Sequence, residues 1–125
     1  MSRGECFLAL GRPGDAAVQG QAAVELARRF GERAHEAKAL CLLAAVHARQ
    51  DDGHEARRLY GEAMTLGEAL GMRPLVARCQ LGVGRLAEAA GERSAGCAEI
   101  ERAAATFREL DMPFWLAQAR PARVG

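Results

Sequence analysis

Residues 51–72 read DDGHEARRLYGEAMTLGEALGM, and this stretch decides the fold that the sequence predicts. Two aspartates and a glycine form a turn whose carboxylates can cap a following helix. After the turn, apolar residues recur every three or four positions and form one stripe on a helix; they are Ala56, Leu59, Tyr60, Ala63, Leu66 and Leu70. Gly71 is typical of a left-handed helix end. The stretch therefore predicts a helix from about His54 to Leu70, between two turns.

The same pattern recurs along the chain at a spacing of 40 residues. The matched residues are small or turn-forming: Ala23, Ala63 and Ala103 share one position, and Gly11, Asp51 and Gly91 share another. Each period reads as a helix, a short turn and a second helix. Because such a pair cannot bury its apolar stripe alone, neighbouring pairs stack. The sequence thus predicts an all-α fold of antiparallel helix-pair repeats, stacked into a curved solenoid.

Composition supports this helical architecture. The 27 alanines and 14 leucines favour helices, whereas six valines and one isoleucine are too few for a large sheet. We predict a single domain over residues 1–125, with a partial repeat at 1–30, repeats at about 33–70 and 74–110, and a terminal helix at about 113–120. Since the chain begins inside a repeat, we expect either a terminal fragment of a longer protein or a short stand-alone relative.

The charge and the apolar runs argue against several classes of partner. Seventeen Lys and Arg residues against 16 Asp and Glu give a net charge of +1, which provides no electrostatic footprint for nucleic acid or an anionic membrane. The residues Met1–Cys6 do not resemble a secretory signal. The longest apolar run, Ala39–Val46, is far below the roughly 20 residues of a membrane span. We therefore expect a cytoplasmic protein that binds neither membranes nor nucleic acid.

No constellation of residues predicts catalysis. The cysteines are widely spaced and lack a CxxC motif, so we interpret them as reduced apolar residues between helices rather than as a zinc site; they are Cys6, Cys41, Cys79 and Cys97. The three histidines fall on different elements and are not expected to bind metal. Gly82 and Gly84 lie in mid-helix, which favours helix packing over a nucleotide loop. We predict no catalytic, metal-binding or cofactor-binding residue, no cofactor and no enzyme.

The second helix of each pair has a small residue, a large residue four positions later and a small residue three positions after that. The two clearest sets are Ala56, Tyr60 and Ala63, followed by Gly96, Ile100 and Ala103. This pattern resembles the tetratricopeptide repeat (TPR), which implies a right-handed solenoid. Gly20 departs from the pattern because it occupies the large position of the first repeat. The period of 40 also exceeds the usual length of about 34; armadillo and HEAT repeats share the longer period, but the small-large-small pattern argues against them.

Two segments carry a closer resemblance. Residues 71–82 (GMRPLVARCQLG) and 112–119 (MPFWLAQA) look like segments common at the C-termini of large bacterial signalling proteins. Those proteins couple an ATPase core to a class III adenylate cyclase or LuxR-type DNA-binding domain, followed by TPR arrays. The resemblance implies the regulatory C-terminal part of such a protein. No GxxxxGK[ST] phosphate loop is present, so no ATP-binding residue is carried over.

TPR arrays bind peptides or partner helices on a concave face formed by their first helices. The resemblance assigns nine residues to that face: Lys38, Cys41, Ala45, Arg49, Arg78, Leu81, Arg85, Glu88 and Gln118. Four of the nine are basic, which predicts a preference for acidic segments whose carboxylates pair with arginine; a solvated face without a partner is the alternative. The sequence thus predicts a non-catalytic protein–protein interaction or scaffold module. The alternative is a small-ligand-sensing repeat domain that controls an attached ATPase, cyclase or DNA-binding domain.

The ends of the predicted solenoid lack polar capping helices. The segment Phe114–Leu116 is apolar, and two and a half repeats barely approach the minimum of about three that such stacks need. We therefore expect self-association through exposed repeat ends, or dependence on an N-terminal neighbour.

Overall fold

A computed structural model describes residues 13–119, with side chains from residue 15 onward. Within this range it contains six helices and no strand, so the predicted all-α repeat fold is confirmed. The helices are α1 (Pro13–Arg29), α2 (Arg33–Arg49), α3 (Gly53–Ala69), α4 (Arg73–Ala89), α5 (Arg93–Glu109) and α6 (Pro113–Gln118). The predicted first helix near residues 1–10 and the last residue of the predicted terminal helix lie outside the described residues. None of the described helices is long and apolar enough to cross a membrane.

The helices begin every 20 residues, which is half of the repeat length seen in the sequence. Each of α1 to α5 has 17 residues, and three-residue turns connect them. The turns share one geometry. Their middle residues have positive φ angles; they are Gly31, Asp51, Gly71, Gly91 and Asp111. In the turn after α3, for example, the Met72 amide donates to the Gly67 carbonyl over 2.8 Å. This is the Schellman arrangement, which closes the end of a helix.

The predicted cap at the start of α3 is present. The carboxylate of Asp52 accepts a hydrogen bond from the backbone amide of Glu55 over 3.4 Å. Asp51 instead lies in the left-handed region, with a φ of 61°. The two adjacent aspartates therefore have different tasks: one forms the turn, and the other caps the helix that follows.

Alternate helices lie on two sides of the stack. Each helix packs against its neighbours in sequence, and α2 in addition contacts α4 directly. In a curved stack, helices on the inner side lie closer together than those on the outer side, so this contact indicates that α2 and α4 belong to the concave side. The 40-residue period follows, because only every second helix has the same neighbours.

Small residues bring paired helices close together. A Cβ atom added at Gly84 would lie 2.7 Å from Ile100 Cγ1 and 2.9 Å from the Gly96 carbonyl oxygen. Ala56 and Ala63 on α3 are fully buried, and Tyr60 between them is nearly so. The small-large-small pattern therefore acts as the sequence predicted: the small residues allow contact between helices, and the large ones fill the space that remains.

Candidate functional site

Five of the nine predicted groove residues surround one cavity on the concave side. The cavity has a volume of about 220 Å³ and is open to solvent; its lining comprises Cys41, Ala45, Arg78, Leu81 and Arg85, together with Tyr60, Gly82 and Trp115. Helices α2, α3, α4 and α6 all contribute to this lining. The eight residues include two arginines and no aspartate or glutamate, so the cavity is basic although the chain is almost neutral.

Arg78 occupies the centre of this face. Its guanidinium carbon lies 4.6 Å from the centre of the Trp115 ring, which is a cation–π contact. Its Nε atom is buried and has no hydrogen-bond partner. A buried donor without a partner costs about 1–3 kcal/mol. An acceptor that reached Arg78 from the open side would remove this cost.

The aromatic residues of α6 form the platform under Arg78. The Trp115 ring stacks on Phe107 of α5, with ring centres 6.0 Å apart and an angle of 26° between the planes. Phe114 meets the edge of Trp115 at 5.5 Å and is itself 65% exposed. Trp115 therefore stays half-buried and fixed, while Phe114 faces solvent at the end of the stack.

A second contact ties α4 to α6. The Arg85 guanidinium donates to the main-chain carbonyl of Gln118. The last carbonyls of a helix have no partner within the helix and carry partial negative charge, so a cation is favourable there. This contact brings together two residues that the sequence assigned to the groove, through the backbone rather than the side chain of Gln118.

Two further cavities adjoin the central one and share Arg78, Lys38 and Leu75 in their lining. One, of about 440 Å³, lies toward α1 and includes Leu26, Glu32 and His35. The other, of about 340 Å³, lies toward α6 and includes Met72, Met112 and Trp115. The three cavities form an elongated groove, called the concave groove below, with Arg78 at its middle and Lys38 beside it.

The remaining two predicted residues lie elsewhere. Arg49 is exposed at the C-terminal end of α2 and does not line these three cavities. The side chain of Glu88 lies against α5, because a Cβ atom added at Gly96 would come within 2.7 Å of Glu88 Cγ. The groove is therefore shorter than the set of nine residues predicted.

The groove also contains a pair of thiols that the sequence analysis did not connect. The Cys41 and Cys79 side chains hydrogen-bond to each other, and this bond together with the positive charge of Arg78 lowers the pKa of Cys41 despite its burial. The same bond and burial raise the pKa of Cys79. Burial also raises the pKa of Tyr60 nearby. Both cysteines are reduced and buried between helices, as the sequence predicted.

Three features of the groove thus escaped the sequence analysis: the thiol pair, Tyr60 and Trp115. A signal for the thiol pair was present, since Cys41 and Cys79 are 38 positions apart and the repeat is 40. Residues so spaced lie close together on equivalent neighbouring helices. Among the described residues, no group of three or more histidine, cysteine, aspartate or glutamate side chains could hold a metal ion.

In comparisons with known proteins, no family model and no curated protein matches the chain significantly.

Proposed function

We propose that this chain is a non-catalytic, TPR-like interaction module that binds an acidic segment of a partner protein in the concave groove. The observation that carries the proposal is the state of Arg78. Its guanidinium lies on Trp115 in an open cavity, and its buried Nε atom has no acceptor. A carboxylate would supply that acceptor, and hydrogen bonds between ions are about twice as strong as neutral ones.

The size of the groove favours an extended partner over a compact ligand. Pockets that bury small molecules usually have about 300–1,000 Å³, and the central cavity has only about 220 Å³. The two adjoining cavities continue it on both sides and offer apolar surface from Leu75, Met72 and Leu26. An extended chain with one carboxylate on Arg78 and apolar side chains in the flanking cavities would use all three. The alternative is a small carboxylate ligand bound at Arg78 alone.

Trp115 provides the test, because it is the only tryptophan of the chain. A short peptide of alternating glutamate and leucine should change its fluorescence, and the matched glutamine–leucine peptide should not. Arg78→Glu should weaken binding about tenfold or more, since one lost charge-assisted hydrogen bond costs about 1.5–3 kcal/mol. The matched control is Arg108→Glu, which makes the same charge change at an exposed residue on α5.

Each outcome of the titration has a clear meaning. Equal binding of both peptides, or equal loss in the two variants, would contradict recognition of an acidic segment. A free dicarboxylate that quenches Trp115 at the same concentration as the peptide would support the small-ligand alternative instead. Loss of binding with added salt is expected for either acidic ligand.

On the resemblance of residues 71–82 and 112–119, we propose further that the module is the cytoplasmic, C-terminal regulatory part of a bacterial signalling or transcriptional regulator. Its output would be an ATPase, cyclase or DNA-binding domain in the same polypeptide. Sequencing the gene upstream of Met1 tests this. An open frame that encodes a phosphate loop supports the assignment, and an in-frame stop codon immediately upstream contradicts it.

A further inference from the structure

We propose that Cys41 and Cys79 are a redox-active dithiol, in which Cys41 reacts with small disulfides and Cys79 completes a disulfide bond between α2 and α4. This proposal is independent of the partner-binding function, because it concerns the chemistry of the thiols and needs no ligand in the groove.

The placement of the two cysteines supports this division of roles. Both belong to one buried cluster, at a point where α2 and α4 contact each other directly. Cys79 is fully buried, whereas Cys41 is 5% exposed and lines the central cavity. A small disulfide that entered the cavity would therefore meet Cys41 first. Cys79 would then lie within reach of the sulfur of Cys41 without exposure to solvent.

The groups around the pair favour a thiolate at Cys41. Arg78 on α4 contributes a positive charge, and the Cys79 thiol can donate its hydrogen to the Cys41 sulfur. Tyr60 on α3 has a raised pKa and remains a neutral phenol, and Arg85 lines the same cavity. The pKa of Cys41 is lowered and that of Cys79 is raised. A thiolate is the reactive form of cysteine, so the attacking residue is Cys41.

The exchange proceeds in two balanced steps. The Cys41 thiolate attacks one sulfur of a disulfide such as glutathione disulfide, forms a mixed disulfide and releases one glutathione thiolate. That thiolate accepts the proton of Cys79, and the Cys79 sulfur attacks Cys41, which releases the second glutathione. The protein pair loses two electrons and two protons, and one glutathione disulfide becomes two glutathione molecules.

A Cys41–Cys79 bond would change the groove as well as the thiols. It would join the two inner helices covalently at a point next to Arg78 and below Trp115. We therefore expect oxidation to raise the melting temperature, since a cross-link restricts the unfolded chain. It should also shift the fluorescence of Trp115.

The experiment uses the full chain with Cys6→Ser and Cys97→Ser, so that only the pair can react. The folded protein is incubated with glutathione disulfide at neutral pH, and its intact mass is measured. We expect a product lighter by two hydrogen atoms that carries no glutathione, and peptide mapping should join Cys41 to Cys79. Dithiothreitol should restore the starting mass.

Single variants separate the two roles. With Cys79→Ala, one glutathione should remain bound at Cys41; with Cys41→Ala, the folded chain should not react. Circular dichroism confirms that each variant is folded, and the mass of the parent protein decides the question without them. The proposal is overturned if the parent retains glutathione, if Cys79 reacts in the absence of Cys41, or if the pair reacts only after unfolding in urea.

Discussion

At the residue scale, the sites with the least tolerance for change are glycines between helices. Gly84 on α4 faces Gly96 and Ile100 on α5 so closely that no Cβ atom fits without movement of the backbone. The sequence predicted this role from position alone, because a glycine in mid-helix costs stability unless a close contact requires it. It could not predict which atoms make the contact, since these depend on the distance between two helices.

Substitution of Gly84 by alanine should lower the free energy of unfolding by about 1–3 kcal/mol, since the added methyl group would push α5 away from α4. Gly61 provides the matched control, because a Cβ atom there would meet nothing within 4 Å. Gly61→Ala should raise stability by about 0.5–1 kcal/mol through its better helix propensity. Urea unfolding followed by circular dichroism measures both. Equal effects of the two substitutions would show that α4 and α5 do not pack as described.

At the element scale, the turns determine the length of every helix. The predicted helix limits near residues 54 and 74 differ from the observed starts by one position, because the turn residues were recognisable in the sequence. The 20-residue spacing of the helices was not predicted. Its reason is that neighbouring helices bury different faces, so their sequences match only at every second helix. The groove was predicted only in part for a related reason: Tyr60 and Trp115 come from helices outside the α2–α4 pair.

The turn between α2 and α3 allows a test of this view. Asp51 has a φ of 61°, where a side chain with a Cβ atom is strained and glycine is not. Asp51→Ala should lower the free energy of unfolding by about 1 kcal/mol, because alanine has the strain without the local hydrogen bonding of aspartate. Asp51→Gly should leave stability unchanged or raise it slightly. Thermal melts of both variants measure the difference, and a more stable alanine variant would contradict a left-handed turn at this position.

At the scale of the whole molecule, the stack buries its centre well and its ends poorly. Its described core forms two clusters, one centred on α2 to α4 and the other on α4 to α6. Large apolar side chains are exposed near both ends: Leu26 and Phe30 at the α1 end, and Phe114 on α6. The repeat pattern predicts such ends, because each helix pair needs a neighbour to cover its apolar face.

These two ends differ from each other, so a contact between them would join the α1 end of one copy to the α6 end of the next. Such head-to-tail contacts do not close after two copies and can continue. We therefore expect the sedimentation coefficient of the purified chain to rise with concentration in the micromolar range. Leu26→Gln and Phe114→Ser should each reduce this rise, because each removes apolar surface from one end.

Leu70→Ser is the control for these end variants, since Leu70 is an exposed apolar residue in the turn between α3 and α4, away from both ends. It should leave the association unchanged. A monomer at every concentration would contradict association through the ends. Equal effects of all three substitutions would indicate general apolar stickiness rather than a contact between ends. Association that depends on Leu26 and Phe114 alone would mean that the exposed ends act as the missing neighbours of an open stack.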